Sequence, residues 1–215
     1  LAGRTGETAL YLASQEGHVD VVSALCKGSD CPINTRAEGL VSPLFMAAHT
    51  GNLGVAKALC TAKNVDLNIV NHAGATPLST ATQCMHTEIA KFLLAAKANV
   101  NAITDNHISP LKIAVLTKNT ELADLYIKSG ANVHFKRSEN AHDSPESKHF
   151  YDNANVLAEA AALNCDAPML KLLMEHKVDP TLQTENGQSV VSVLKDQFDT
   201  TVEELLAGAI PEHVI

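Results

Sequence analysis

Four short segments repeat along this chain: T-A-L-Y-L-A from Thr8, S-P-L-F-M-A from Ser42, T-P-L-S-T-A from Thr76 and S-P-L-K-I-A from Ser109, at spacings of 34, 34 and 33 residues. A unit of that length is one supersecondary element too small to bury its own apolar face, so copies must stack, each covering the next. The period therefore selects a repeat architecture, and function is to be sought on its surface.

Within the third unit, Thr76 can cap a helix, Pro77 suits the first helical position, and Leu78 with Ala81 supplies an inward face. A second helix follows His86 with Ile89, Ala90, Leu93 and Leu94 at three- and four-residue spacing, and Ala98-Asn99-Val100-Asn101 then suits extended chain and a turn. Each unit reads as helix, turn, helix, hairpin loop. Gly17-His18 and Gly51-Asn52 mark the same turn in the first two units, with Lys118 in place of glycine in the fourth. Ala13, Ala47, Ala48, Ala81 and Ala114 recur on the first helices, where small side chains let neighbours approach closely.

The period sets units of about 3–36, 37–70, 71–103 and 104–135, then breaks. The next helix is expected near Asn155, with Leu157, Ala160 and Ala161, which puts 46 residues where the earlier interval was 33 and marks 136–153 as an insertion. Register returns in units of about 154–183 and 184–209, with Met169, Leu170, Leu172 and Leu173 on a second helix. Acidic residues Asp196, Asp199, Glu203 and Glu204 dress the last helix as a cap would require. No polar cap precedes the first unit, and Leu1 is not an initiator methionine, so a fragment of a longer protein is expected.

The chain has 215 residues and a net charge of −8, with 16 acidic side chains against 9 basic ones in residues 111–215. That balance disfavours a phosphate-tracking nucleic-acid surface, which needs clustered Lys and Arg. No apolar run is long enough to span a membrane. Cys26, Cys31, Cys60, Cys84 and Cys165 form no C-x-x-C pair and read as reduced core thiols of a cytosolic-type protein.

Gly6-x-Thr8-Ala9-Leu10, Gly74-x-Thr76-Pro77-Leu78, Gly17-His18, Gly130-Ala131-Asn132-Val133 and Glu185-Asn186-Gly187-Gln188-Ser189 together resemble the ankyrin-repeat family, over about residues 3–209 outside the insertion. The resemblance implies an all-α solenoid forming one domain over 1–215, a protein–protein interaction module without catalysis of its own. The chain departs from the family's T-P-L-H, whose histidine helps tie one repeat to the next: Tyr11, Phe45, Ser79, Lys112 and Ser192 stand there instead. His107 stands where a hairpin glycine is usual.

The ten histidines form no H-x-x-x-H and no zinc-type cluster with cysteine, and no metal or other cofactor is expected. His142 and His149, near Asp143, Glu146 and Asp152, read as part of a solvated loop before they read as a metal site. No G-x-S-x-G, phosphate-binding loop or G-x-G-x-x-G occurs. Asn101 resembles the hairpin asparagines that an asparaginyl hydroxylase modifies in this family; the plainer reading is an asparagine that holds its hairpin by its own hydrogen bonds.

In such a stack, hairpin tips and first-helix ends line one concave side. Counting along the period selects Arg4, Thr5 and Glu7 from the first tip, Glu38 and Val41 from the second, His72 and Ala75 from the third, and Asp105, Asn106 and Ile108 from the fourth. The helix ends add Gln15, Glu16, His49, Thr50, Gln83, Cys84, Leu116 and Thr117. Val41, Ile108 and Leu116 read either as the apolar centre of an interface or as local packing. Phe150 and Tyr151, at the base of the insertion, read as a second contact or as part of a neutral loop. The expected function is binding of another protein, by a monomer in the cytoplasm, with the nucleus or a host cell's cytoplasm as alternatives. Two other roles stay open: the targeting domain of a larger enzyme or bacterial effector, and an inhibitor or structural scaffold.

Overall fold

The computed structural model describes residues 6–28, 31–106, 108–133 and 167–176, together with Ser189, Val191, Ser192, Lys195, Thr201 and Glu204. Arg4, Thr5, His107, Cys165, Phe150, Tyr151, the insertion 136–153, the helix expected near Asn155 and most of the last unit lie outside these residues. Contacts divide the chain into two compact parts, Leu1–Ile113 and Ala114–Ile215.

The first part is built from three helix pairs: α1 (Ala9–Gln15) with α2 (Val19–Cys26), α3 (Pro43–Thr50) with α4 (Leu53–Leu59), and α5 (Pro77–Gln83) with α6 (Thr87–Ala95). The repeated Thr or Ser starts each first helix for a local reason, because its hydroxyl accepts an N–H that the helix cannot satisfy itself. Thr8 accepts from Tyr11 at 3.1 Å, Ser42 from Phe45 at 3.1 Å and Thr76 from Ser79 at 3.2 Å. Ser109 caps α7 (Pro110–Leu116), which runs through the division, by accepting from Lys112 at 3.1 Å. Such caps contribute about 1 kcal/mol each. At Ser79 the structure also accounts for the missing family histidine: the Ser79 hydroxyl accepts the Thr76 N–H at 2.9 Å, closing a reciprocal box. Ser189 and Ser192 repeat that box at 2.9 and 3.2 Å, so the local chemistry of a first-helix start recurs in the last unit.

The leucine of each segment is the core residue: Leu10, Leu44, Leu78 and Leu111 are fully buried. Ala47, Ala48 and Ala81 are buried completely between first helices, and α3 packs on α1 and on α5. A side chain larger by two methylenes would separate those backbones. Second helices stack likewise, α4 on α2 and α6 on α4. Between pairs, asparagines fasten one loop to the next. The Asn34 side chain donates to the Asn64 carbonyl at 2.7 Å and accepts the Asp66 N–H at 2.9 Å; one unit on, Asn68 accepts the Asn99 N–H at 2.8 Å.

In the second part, α8 (Thr120–Lys128) is capped by Asn119, whose side-chain oxygen accepts the Leu122 N–H at 3.0 Å. It packs against α9 (Ala167–Glu175). Leu122, Ala123 and Tyr126 of α8 and Met169, Leu170, Leu173 and Met174 of α9 are buried. Leu172, on the same helix, is half-buried. Asp124 reaches Lys128 at 2.6 Å and His176 at 3.6 Å.

Candidate binding surface

The hairpin tips of the first part share one backbone design. The Ala37 N–H donates to the Val41 carbonyl at 2.9 Å, Asn71 to Ala75 at 3.1 Å and Thr104 to Ile108 at 3.1 Å, each closing a five-residue tip. In the third tip the Asn71 side-chain oxygen also accepts from the N–H groups of Ala73 and Ala75, both at 2.9 Å. Asparagine suits that place because its short amide can satisfy the backbone of its own turn.

Adjacent tips are joined in a fixed register. The second residue of a tip donates its N–H to the third residue of the tip before it: His72 to the Gly39 carbonyl at 3.1 Å, and Asp105 to the Ala73 carbonyl at 3.0 Å. The His72 ring adds a second contact, since Nδ1 in its protonated form donates to the same Gly39 carbonyl at 3.1 Å. Glu38, His72 and Asp105 thus occupy one position of the repeat on successive tips, and all three are exposed. Asn106 is exposed beside Asp105, whereas Glu7, Val41, Ala75 and Ile108 are half-buried. Val41 and Ile108 act through their carbonyls, as the residues that close their tips.

The apolar side chain that does stand out is Leu40, which the period count passed over for its neighbour Val41. It is 47% exposed and holds a left-handed backbone, φ +59°. Counting 34 residues back and forward from Leu40 reaches Gly6 and Gly74, at φ +77° and +70°, and that column is the signal in the sequence that marks it. Met85 is a second case: it takes the place held by Gly17 and Gly51 between the helices, is exposed, and sits at φ +59°. Lys97, one period before Gly130, and Lys118, the substitution noticed in the sequence, are two more, at φ +73° and +55°.

At the ends of the first helices, Gln15, Glu16, His49, Thr50 and Gln83 are exposed and Cys84 is half-buried. In the second part Leu116 is exposed and Thr117 half-buried. His86 joins two helix pairs instead of facing a ligand: its ring Nε2 lies 3.2 Å from the His49 carbonyl. Asn101 is exposed, and its N–H donates to the Asn99 side chain at 2.9 Å. It stands at the repeat position of Asn34 and Asn68, the two that bridge loops.

Compared with known families, residues 2–71 and 44–137 match the one described as ankyrin repeats (3 copies). The chain belongs to the ankyrin-repeat family. No curated protein matches it. Ankyrin repeats are generally protein-binding modules and typically carry no catalysis. Among the described residues of this ankyrin chain, no group of three or more His, Cys, Asp and Glu could hold a metal ion, and no helix is long and apolar enough to cross a membrane.

The thiols differ from the expected core set, since Cys26, Cys31, Cys60 and Cys84 are all half-buried. Cys26 and Cys31 approach to 3.8 Å between sulfurs. Burial pushes the Cys60 thiol up to about 11, and burial followed by the Cys31 hydrogen bond pushes Cys26 up to about 12. Only the thiolate reacts, so with Cys60 raised from 9.0 to about 11, iodoacetamide at pH 8 should alkylate it roughly 100-fold more slowly than an ordinary thiol. Mass analysis of timed samples, with and without urea, checks this; an unhindered rate in the folded chain would show that the thiol is solvated. Because the folded value lies above the ordinary one, the thiol favours the folded state at neutral pH, and that contribution is lost as pH rises through about 11.

Proposed function

We propose that this ankyrin array is a non-catalytic recognition module that binds another protein along its hairpin tips, with Leu40 as the apolar centre and Glu38, His72, Asp105 and Asn106 around it. One observation carries the reading: the bonds from His72 to Gly39 and from Asp105 to Ala73 hold successive tips in one register. Exposed side chains at one repeat position are then presented on a backbone that need not be ordered on binding, which removes much of the entropy cost of recognition. The first-helix ends Gln15, Glu16, His49, Thr50 and Gln83 extend the same surface in this proposal. Two carboxylates in the tip column favour a partner that brings basic or donor groups around an apolar side chain.

Affinity capture from cell lysate tests the reading. Protein captured by the chain should be lost with Glu38→Lys and Asp105→Lys combined, and retained with Glu88→Lys and Glu121→Lys, which reverse exposed charges on second helices. Equal retention by both pairs would show that the tips do not bind, and equal loss would show that only net charge matters.

A further inference from the structure

The fold sets the thiols of Cys26 and Cys31 side by side. Cys26 closes α2, and Cys31 lies five residues on, in the stretch that leads to the second hairpin tip. Their sulfurs are 3.8 Å apart and both residues are half-buried, so the pair is in contact and still open to solvent. The next unit repeats only half of this arrangement. Cys60 stands one period after Cys26, but the residue one period after Cys31 is Val65.

Both sulfurs sit on anchored backbone. Cys26 belongs to the last turn of α2, which Val22 roots in the core. On the other side, the Ile33 N–H donates to the Cys31 carbonyl at 2.8 Å, Ile33 is buried, and Asn34 is tied to Asn64 and Asp66 of the next unit. The turn after α2 is held less firmly. The N–H groups of Lys27 and Gly28 reach the Ala24 and Leu25 carbonyls at 3.3 and 3.4 Å, against 3.2 and 3.1 Å for the same bonds one unit on, Thr61 to Ala58 and Ala62 to Leu59. A disulfide needs the sulfurs to close to about 2.05 Å. Rotation of the two side chains and the long bonds of that turn supply the movement.

We propose that Cys26 and Cys31 form a reversible redox site, a dithiol that a low-molecular-weight disulfide oxidises to an intramolecular disulfide. The reaction is two exchanges. Cys31 gives its proton to solvent and its thiolate attacks one sulfur of the small disulfide, whose S–S bond breaks; the leaving thiolate takes up a proton. Cys26 then loses its proton to solvent and attacks Cys31 Sγ, breaking the mixed disulfide and releasing the second small thiol, again protonated by solvent. Two electrons pass from the protein thiols to the small disulfide, which is reduced to two thiols. The order follows from burial, which pushes the Cys26 thiol up to about 12 and leaves it little thiolate for the first attack. In the second step its contact with Cys31 offsets that small fraction. Once closed, the bond pins the end of α2 to the stretch that Asn34 fastens to the second unit, and an excess of small thiol reverses both steps. The site is separate from the hairpin tips and does not depend on the partner proposed for them.

The test equilibrates the whole chain with reduced and oxidised glutathione, with and without urea, then quenches in acid, alkylates the remaining thiols and maps peptides by mass. The folded chain should lose two hydrogens, with Cys26 and Cys31 in one cross-linked peptide and Cys60 and Cys84 alkylated. In the same buffer the folded chain should hold the cross-link at least about tenfold more favourably than the unfolded one, because the bond removes freedom that only the unfolded chain has. Its unfolding midpoint should rise on oxidation by at least about 3 °C. Cys26→Ser should stop the reaction with glutathione on Cys31, whereas Cys31→Ser should leave Cys26 largely unmodified. Glutathione adducts without a cross-link, a bond joining two chains, or a cross-link equally favourable in the folded and unfolded chains would each overturn the proposal. Faster modification of Cys26 than of Cys31 in the two serine variants would overturn the order of attack.

Discussion

Alanine at Gly74 should destabilise the chain by about 3 kcal/mol, and alanine at Gly130 by about 1 kcal/mol, although both glycines hold left-handed backbone at φ +70° and +87°. The shared part of the cost is the Cβ itself, roughly 1–2 kcal/mol for an L-residue in that conformation. The difference lies in what the Cβ would meet. At Gly130 nothing lies within 4 Å. At Gly74 the added carbon would sit 2.6 Å from the Asp105 carboxylate and 2.8 Å from its backbone nitrogen. A carboxylate can swing away; the backbone nitrogen cannot without pulling on the bond from Asp105 to the Ala73 carbonyl, 3.0 Å long, that joins the two tips. Overpacking of this kind costs about 1–3 kcal/mol, and part of a hydrogen bond goes with it. Urea unfolding of the two variants measures the totals, and amide exchange at Asp105 reports whether the tip contact itself loosens. Equal costs at the two positions would mean that the tips give way freely.

Gly51 extends the same logic to the helix turns. A Cβ there would lie 2.7 Å from the His86 ring, which is held by the His49 carbonyl. Here the chain supplies its own tie between repeats after losing the histidine of the family's T-P-L-H. Tyr11 and Phe45 bury their rings at that lost position, and Ser79 turns inward to complete a cap.

What the sequence made legible follows from locality. A hydroxyl three residues before an N–H, a proline at a first turn and an alanine column are all set by neighbours along the chain, so the caps of α1, α3, α5 and α7 and the small-residue seam could be read directly. The links between units could not be read, because they depend on distances across the period. Nothing local to Asn34 says that it spans two backbone groups some thirty residues away, and nothing local to His72 says that its ring and its N–H converge on Gly39. The candidate surface was legible as a set of positions, because the period is a ruler. Attention to apolar side chains at usually wet positions selected Val41, which is half-buried, while the exposed Leu40 beside it is marked in the sequence only by the glycines one period away, Gly6 and Gly74. The half-burial of the cysteines was likewise hidden, because an apolar slot in a repeat is as wet or dry as its neighbours make it.

Replacing Leu40 by glycine is expected to do two opposed things: stabilise the fold by about 1 kcal/mol and weaken binding of the tip partner by at least about 30-fold. The gain follows from the backbone. Leu40 holds φ +59°, where its Cβ crowds the following carbonyl, and the same repeat position is glycine at Gly6 and Gly74. Little packing is lost with a side chain that is 47% exposed, while the greater freedom of glycine in the unfolded chain takes back part of the gain. A midpoint rise of roughly 2–4 °C is the size to look for. The loss follows from the proposed role, since truncating the apolar centre of an interface typically costs 2 kcal/mol or more. Strain kept at an exposed apolar residue, when a relaxed glycine is used at both neighbouring tips, is what a binding site under functional constraint looks like. Thermal unfolding gives the first number, and titration against the protein captured by the unaltered chain gives the second. If glycine at this position lowers the midpoint, Leu40 is held by packing, and if the affinity stays the same, the centre of the binding surface lies on another residue.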